Sequence, residues 1–235
     1  MSNTAADKAA NNLRVYFTTP SDDRSDALLR DAIGAWRTVA EYRAMHSYPM
    51  TKVTLGVRSM VKTATGDDTL RPGQRFKRMD RILVKLIRFP HMRLSQIEDI
   101  GGCRVVFRNL EQLYDAADHL MNRWDGHARI TDYIDQPKPD GYRGIHIVEK
   151  RDRRMIEVQL RTAGQHEWAQ AMEEYSPITG FNLKDGQAPA DLRQYFRMAA
   201  YRIACHEDGT SVDSETEAEF GRLREQVLHY FQRSR

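Results

Sequence analysis

The chain has 235 residues, of which 40% are hydrophobic and 29% charged, and no apolar run approaches the roughly 20 residues that a membrane-spanning helix needs. This composition predicts a globular protein and argues against a membrane protein. The two cysteines, Cys103 and Cys205, lack disulfide or metal-binding spacing. We therefore expect a protein of the reducing cytoplasm.

The N-terminal part of the chain predicts a tail followed by helices. The first 24 residues are small and polar and lack the basic-then-apolar order of a secretory signal, so we expect a flexible tail over residues 1–24. Apolar residues then recur at helical spacing from Ser25 to about His46, with Ser25 as the N-cap. A shorter helix is predicted around residues 50–63, and the Gly-, Asp- and Pro-rich segment "TATGDDTLRPGQ" is predicted to be a loop.

A strongly basic segment follows this loop. Between Arg71 and Arg93 it contains eight cationic residues and a single acid, Asp80. In "RFKRMDRILVKLIRF" the spacing predicts a helix, one face of which is cationic and comprises Arg78, Arg81, Lys85 and Arg88. Such a row is either a solvated face or a phosphate-binding surface. The chain lacks the Gly-rich nucleotide-binding motifs, so a nucleotide would have to be held by side chains.

The rest of the chain predicts strands interleaved with helices. Strands are predicted at residues 101–107, 127–134, 143–150 and 155–162, and helices at residues 110–124, 165–175, 189–205 and 214–233. The charged turn "KRDRR" makes the last two strands a hairpin. The predicted fold class is α+β, with a mixed β-sheet core flanked by helices and further helices toward both ends of the chain.

Two carboxylates stand at unusual positions in this predicted sheet. In "MIEVQLRT" the alternation places Glu157 on a polar face together with Gln159 and Arg161, and Asp99 shortly precedes the first of these strands. If the two strands are neighbours, Asp99 and Glu157 are able to bind one Mg²⁺, or Glu157 serves as a general base. The alternative is that Glu157 pairs with an arginine on an exposed sheet face and that Asp99 caps a turn.

The segment "DYIDQPKPDGYRGIH", residues 132–146, combines proline and glycine with aromatic and basic side chains. Proline and glycine predict a loop of defined shape, and the aromatic and basic residues suit a flat, anionic ligand. The sequence therefore places a second candidate binding element directly before a predicted strand.

Taken in order, the segments "QRFKR", "KLIRF", "EDIGGCRVVF", "DYIDQPKPDGYRGIH", "IEVQLRT" and "QHEWAQA" resemble the synthetase domain of the RelA/SpoT family, pyrophosphokinases that make the alarmone (p)ppGpp. The resemblance covers roughly residues 50–175. It implies a nucleotidyltransferase-like sheet and transfer of the β,γ-pyrophosphate of ATP to a ribose 3′-hydroxyl, with Mg²⁺ as cofactor. The implied domains are a synthetase domain with its N-terminal helices over residues 25–180 and a C-terminal helical extension over residues 181–235, packed on the core or on a partner.

The resemblance also implies roles for individual residues. Asp99 and Glu157 would be catalytic and bind the metal, with Glu157 assisting the metal or deprotonating the attacking hydroxyl. The residues implied to bind ATP are Arg75, Lys77, Arg78, Lys85 and Arg104. The residues implied to bind the acceptor are Lys138, Tyr142, Arg143, His146 and Gln159, with Tyr142 stacked on the acceptor base. The chain departs from the family motif "K-x-x-S-I" at Arg81, which replaces the serine.

The remaining hypotheses differ in the molecule that accepts the pyrophosphate group. The segments "MRLSQIEDIGGCR" and "QLRTAGQHEWAQAMEE" resemble the small single-domain branch that includes toxic synthetases. That branch implies modification of the tRNA 3′-CCA end, inhibition of translation, and a neutralising antitoxin that binds the residue 214–233 helix or covers the nucleotide site. The alternative is a small alarmone synthetase acting on GDP, GTP or adenine nucleotides. A non-catalytic RNA- or partner-binding module is a third hypothesis, and a homo-oligomer is a further candidate assembly.

Overall fold

Five strands form one mixed sheet in the computed structural model, which describes residues 1–183, 186 and 188–232. The strands are β1 (Gly73–Phe76), β2 (Gly101–Phe107), β3 (Ala128–Asp132), β4 (Ile145–Arg151) and β5 (Arg154–Thr162). Their order across the sheet is β1-β2-β5-β4-β3, in which β2 and β5 run parallel and the other neighbours run antiparallel. The predicted mixed sheet and the predicted hairpin of its last two strands are confirmed.

Eight α-helices of the described residues flank this sheet or extend from it. They are α1 (Asn3–Thr18), α2 (Asp26–Ala44), α3 (Ser47–Thr65), α4 (Met79–Arg88), α5 (Leu110–Arg123), α6 (Ala163–Thr179), α7 (Ala190–Glu207) and α8 (Ser214–Gln232). Apolar side chains of α3 and α5 pack on one face of β2, β4 and β5 and form the largest core cluster. The α+β class is therefore confirmed, and none of these helices is long and apolar enough to cross a membrane.

The prediction of a flexible tail over residues 1–24 is wrong for most of that segment. Residues 3–18 form α1, whose N-cap Ser2 accepts a hydrogen bond from the backbone N–H of Ala5 at 3.2 Å. The helix packs against α2 through the buried residues Ala6, Ala9, Ala10 and Leu13. Three of these four side chains are alanine, and such small side chains let two helices approach closely. The apolar stripe that they form is short, so the segment resembles a polar tail in the sequence.

The strand β1 is the second element that the sequence did not predict. The sequence pattern divides its four residues between the predicted loop and the predicted basic helix. In the structure they pair antiparallel with β2, with Gly73 opposite Arg104 and Phe76 opposite Gly101. The basic helix α4 consequently begins only at Met79. The edge strand β1 is held by pairing with β2 and not by burial of one face. Its sequence, "GQRF", therefore needs no apolar alternation and gives no strand signal.

The C-terminal helices α7 and α8 pack against α6 and against each other. The apolar side of α8 faces this helical layer, since Leu223 and Val227 are 8% and 1% exposed. This apolar side therefore serves the chain's own packing and is unavailable to an antitoxin, contrary to one of the two predicted docking modes. The predicted end of this helix at residue 233, and residues 184, 185, 187, 234 and 235 of the predicted extension, lie outside the described residues.

Candidate active site

The polar face of the sheet opens into a cleft of about 670 Å³. Its walls are α4, the ends of β1 and β3, the middle of β4 and β5, one side of α6, and the β3–β4 connection, residues 133–144, which we call the acceptor loop. Ten of the twelve predicted site residues line this cleft: Arg75, Lys77, Arg78, Lys85, Asp99, Lys138, Tyr142, His146, Glu157 and Gln159. Arg104 and Arg143 are the two predicted residues that do not line it.

Strand register explains why these side chains converge. Gly102 of β2 lies opposite Glu157 of β5, while Gln159 lies opposite both Arg104 and His146, so the polar residues of three strands share one face. A Cβ atom at position 102 would lie only 2.2 Å from the backbone oxygen of Glu157. Glycine at this position therefore permits the close approach of the strand that carries the candidate catalytic glutamate.

Asp99 sits between two lysines at the mouth of this face. Its Oδ2 atom accepts a hydrogen bond from Nζ of Lys77 at 2.5 Å, and its Oδ1 atom accepts one from Nζ of Lys85 at 3.1 Å. Burial alone would raise the pKa of Asp99, but the two ammonium groups outweigh it and lower the pKa to about 2. Asp99 is therefore an ionised carboxylate at neutral pH, and two cations hold it toward the cleft.

Glu157 is the second carboxylate of the cleft and has a different set of partners. Its Oε1 atom lies 2.9 Å from Nδ1 of His146, and its Oε2 atom accepts a hydrogen bond from Nε2 of Gln159 at 2.6 Å. Burial raises the pKa of Glu157, but the hydrogen bond and charge of His146, with the Gln159 amide, outweigh it and give a lowered pKa. The nearby charge of Asp99 acts in the opposite direction, which indicates that the two carboxylates are electrostatic neighbours.

A chain of hydrogen bonds supports His146 from behind. Nε of the buried Arg161 donates to the hydroxyl oxygen of Tyr142 at 3.0 Å, and that oxygen lies 2.6 Å from Nε2 of His146. Tyr142 thus links Arg161 to Nε2 of His146, while Nδ1 on the other side of the ring faces Glu157. The arrangement fixes the orientation of the imidazole ring toward the Glu157 carboxylate.

Arg104 lies behind Gln159 instead of lining the cleft. Its Nε and Nη2 atoms donate to Oε1 of Gln159 at 3.3 and 3.2 Å, and Nη2 of Arg161 donates to the same oxygen at 3.1 Å. Burial, together with the positive charges of Arg161 and Arg75, lowers the pKa of Arg104 to about 10, so it stays protonated at neutral pH. The observed contacts of Arg104 thus orient Gln159, and its direct contact with ATP stays a prediction.

The acceptor loop presents two tyrosines and one lysine to the cleft. Nζ of Lys138 lies 4.2 Å from the ring centroid of Tyr133 and 4.9 Å from that of Tyr142. Tyr142 is only 7% exposed, so stacking of an acceptor base on its ring requires Lys138 to move away. Arg143 is turned from the cleft, and its buried Nε has no hydrogen-bond partner within the described residues.

Tyr133 and Arg161 are two of the cleft-lining residues that were not among the predicted site residues. Tyr133 packs edge to face against both Tyr142 and His146, with ring centroids 5.9 and 5.1 Å apart. Arg161, which is 4% exposed, bonds to Tyr142 and Gln159. The alternation of β5 already placed Arg161 on the face of Glu157, and Tyr133 lies within the quoted loop, so both had a sequence signal.

The carboxylates of this cleft fit a magnesium ion that takes further ligands from a substrate. Among the described residues no group of three or more His, Cys, Asp or Glu side chains could hold a metal alone. Asp99 and Glu157 nevertheless offer ionised oxygen ligands beside several cations, and Mg²⁺ is commonly bound by one or two carboxylates together with phosphate oxygens and water. The donor set thus suits a metal that arrives with a nucleotide.

Comparison with known proteins agrees with this geometry. Residues 74–176 match the model of the region found in RelA and SpoT proteins. The chain is 35% identical over 98 residues to a probable chloroplastic GTP diphosphokinase, RSH3, of Oryza sativa subsp. japonica; the match covers 41% of this chain and 13% of that relative. The chain thus spans a small part of the length of this curated relative.

Two solved structures share the fold. The small alarmone synthetase 2 of Bacillus subtilis superposes with a TM-score of 0.57 at 21% identity, covering 72% of this chain and 94% of that one. The small alarmone synthetase 1 of the same organism, solved with its product pppGpp, superposes with a TM-score of 0.58 at 18% identity, covering 82% and 99%. The predicted resemblance is confirmed for residues 74–176, which match the region found in RelA and SpoT proteins, and the two superposed structures agree with it in fold.

Proposed function

We propose that this chain is an ATP-dependent pyrophosphokinase that transfers the β,γ-pyrophosphate of ATP to a ribose 3′-hydroxyl. The observation that carries the proposal is the convergence of two ionised carboxylates, Asp99 and Glu157, on one cleft whose α4 wall is cationic. The match of residues 74–176 to the region found in RelA and SpoT proteins and the fold shared with small alarmone synthetases support the same reaction class.

The donor ATP would lie along α4 and β1. Arg75, Lys77, Arg78 and Lys85 line this wall, and converging Arg and Lys side chains are well suited to a triphosphate. The lysines that now bind Asp99 would turn to the phosphates when ATP enters. Asp99 and Glu157 would then hold Mg²⁺, which supplies electrostatic stabilisation of the charge that develops on the transferred group.

Glu157 is placed to act as the general base toward the acceptor. Its lowered pKa leaves it ionised at neutral pH, and His146 and Gln159 fix the orientation of the carboxylate. The 3′-hydroxyl oxygen would bond to the β-phosphorus as the bond from that phosphorus to the α-phosphate oxygen breaks. AMP leaves with the electron pair of that bond, and the hydroxyl proton passes to Glu157.

The acceptor nucleotide would lie on the acceptor loop, where Lys138, Tyr142 and His146 line the cleft. A guanosine nucleotide is supported by the named activity of the rice relative and by the pppGpp product in the structural neighbour. A tRNA 3′ end is the second candidate. It is favoured by exposed guanidinium groups at the cleft rim, where the side chains of Arg78 and Arg129 are 69% and 61% exposed, because a long nucleic acid needs phosphate contacts beyond the reacting nucleotide.

The assignment to the toxic branch, the antitoxin partner, self-association and the cytoplasmic location remain predictions. An antitoxin would act by covering the nucleotide cleft, because the apolar side of α8 is occupied by the chain's own helices. This leaves one of the two predicted docking modes to be tested, by adding the candidate partner to the transfer assay described next.

The proposal is tested by following label from γ-labelled ATP in the presence of Mg²⁺. The purified chain is incubated separately with GDP, GTP, ATP alone, intact tRNA and tRNA trimmed of its 3′ adenosine. Glu157→Gln is the variant expected to be inactive, and Glu98→Gln, which changes another carboxylate that lines the same cleft, is its matched control. Label on a nucleotide supports an alarmone synthetase. Label on intact tRNA alone supports an enzyme that modifies the tRNA 3′ end. No transfer to any acceptor contradicts the proposed function.

A further inference from the structure

The acceptor loop rests directly on the C-terminal helix α7. At Gly141, whose φ is +95°, an added Cβ atom would lie 3.0 Å from Cβ of Ala200 and 3.3 Å from Cα of Arg197. The same position would lie 3.5 Å from the Trp168 ring of α6. The loop backbone is therefore in contact with two helices at its sharpest turn, and only glycine fits there.

Beside this contact, a buried hydrogen bond connects α6 and α7. Nε1 of Trp168 donates to the backbone oxygen of Phe196 at 2.8 Å, and both side chains are at most 5% exposed. Ala200, one turn further along α7, is 6% exposed. This hydrogen bond holds α7 against α6. The helix α6 in turn begins directly after β5, the strand that carries Glu157.

Backbone hydrogen bonds close the acceptor loop into a tight turn. A displacement of Gly141 would therefore also displace Lys138 and Tyr142. The backbone N–H of Gly141 donates to the oxygen of Lys138 at 2.8 Å, and that of Lys138 donates to the oxygen of Tyr142 at 3.1 Å. The backbone N–H of Tyr142 is in turn bound by the Asp140 carboxylate at 3.0 Å. Lys138 and Tyr142 are two of the cleft-lining residues assigned to the acceptor, and both are held by hydrogen bonds within the turn that touches α7.

From these contacts we propose that α7 sets the position of the acceptor loop and that Ala200 is a positioning residue for acceptor binding. The inference rests on the proposed function, because it takes the loop to be the acceptor site. Ala200 lies outside the residues that line the cleft and acts only through the loop backbone. The proposed ATP-binding wall, formed by α4 and β1, is not among the elements that contact Gly141.

The test is a comparison of Ala200→Val with Ala204→Val. Both alanines are buried on α7 one turn apart, but only Ala200 faces Gly141. Michaelis constants for ATP and for acceptor are measured with GDP and with bulk tRNA, and melting temperatures are recorded. Ala200→Val is expected to raise the acceptor KM about tenfold and to change the ATP KM less than about twofold, since the displaced atoms belong to the acceptor side alone. Ala204→Val is expected to change neither constant.

Two further variants keep the result interpretable. Ala200→Ser adds a single atom and should shift the acceptor KM in the same direction by a smaller factor, even if the valine variant does not fold. Lys138→Ala tests the proposed function itself. If Lys138→Ala raises the acceptor KM while the Ala200 variants leave it unchanged, or raise both constants equally, the inference about α7 is wrong. If Lys138→Ala has no effect on the acceptor KM, the loop is not the acceptor site, and that assignment within the proposed function is wrong.

Discussion

The ammonium group of Lys77 lies 2.5 Å from one carboxylate oxygen of Asp99, and that of Lys85 lies 3.1 Å from the other. These contacts join the end of β1 and the helix α4 to the segment that precedes β2. Asp99 is thereby kept ionised and in place before any ligand enters. The same lysines line the cleft, so they connect the candidate metal ligand with the candidate site of the ATP phosphates.

The ion pairs of Asp99 predict a specific pH dependence of stability. Its pKa is lowered from 3.8 to about 2, so its contribution is complete above pH 4 and is lost as the pH falls through 2. The shift corresponds to about 2 kcal/mol in the free energy of unfolding, of which about 1 kcal/mol is lost by pH 3. Denaturant unfolding of the metal-free protein and of Asp99→Asn at pH 6 and pH 3 measures this difference.

Between these two pH values the wild type should lose about 1 kcal/mol more than Asp99→Asn. The exposed Asp115→Asn on α5 is the control for a general effect of removing a carboxylate. An equal loss in the wild type and in Asp99→Asn would show that the two lysines do not stabilise the native state through this carboxylate.

Replacement of Glu157 by glutamine tests its role as the general base. The amide keeps the size of the side chain but is unable to accept the hydroxyl proton, so kcat should fall by about 10²- to 10⁴-fold. The KM for ATP should change little if Glu157 acts mainly as the base. Steady-state kinetics with Glu98→Gln as control measure both constants, and a Glu157→Gln enzyme with nearly normal kcat would exclude the base role.

Glycine at position 102 is required by the approach of β5. Alanine there would place its Cβ 2.2 Å from the backbone oxygen of Glu157, so the strands must separate, with an expected loss of about 1–3 kcal/mol. The same shift would misplace Glu157 and lower kcat. Gly73→Ala on β1, where a Cβ meets nothing within 4 Å, is the matched control and should stay within about 1 kcal/mol of the wild type. Similar unfolding energies for the two variants would contradict this account.

The hydroxyl group of Tyr142 is expected to matter more than that of Tyr133. Tyr142→Phe removes the acceptor of the buried Nε of Arg161 and the partner of His146, which should cost about 1–3 kcal/mol in the free energy of unfolding. Tyr133→Phe keeps the ring contacts and should cost less than about 0.5 kcal/mol. Thermal unfolding and kcat of both variants provide the measurement. If Tyr142→Phe is as stable and as active as Tyr133→Phe, the hydrogen-bond chain to Glu157 has no role.

The sequence predicted the placement of the polar residues on the sheet better than it predicted the edges of the fold. Strand alternation placed Glu157 and Gln159 on one polar face, and Asp99 before a neighbouring strand, and the parallel pairing of β2 with β5 brings these residues together. The helix α1 and the strand β1 were not predicted. Neither carries a strong apolar period, because one packs through alanines and the other is held by backbone pairing alone.

Side-chain contacts within the site lay beyond the reach of the sequence. Arg104 stands on the correct face of β2, but Gln159 binds its guanidinium group and keeps it behind the cleft wall. Likewise, nothing in the loop sequence shows that Lys138 covers Tyr142 or that α7 touches Gly141. These contacts join segments that are far apart along the chain or depend on rotamers, so only the packed structure displays them.

The proposed function requires Asp99 to bind a metal that arrives with ATP. Calorimetric titration of a non-hydrolysable ATP analogue, with and without Mg²⁺, measures this requirement. In the wild type and in Glu98→Gln, Mg²⁺ should tighten binding by about tenfold or more, whereas in Asp99→Asn it should have little effect. Equal tightening in Asp99→Asn and the wild type would contradict this requirement and would remove Asp99 from the proposed metal site.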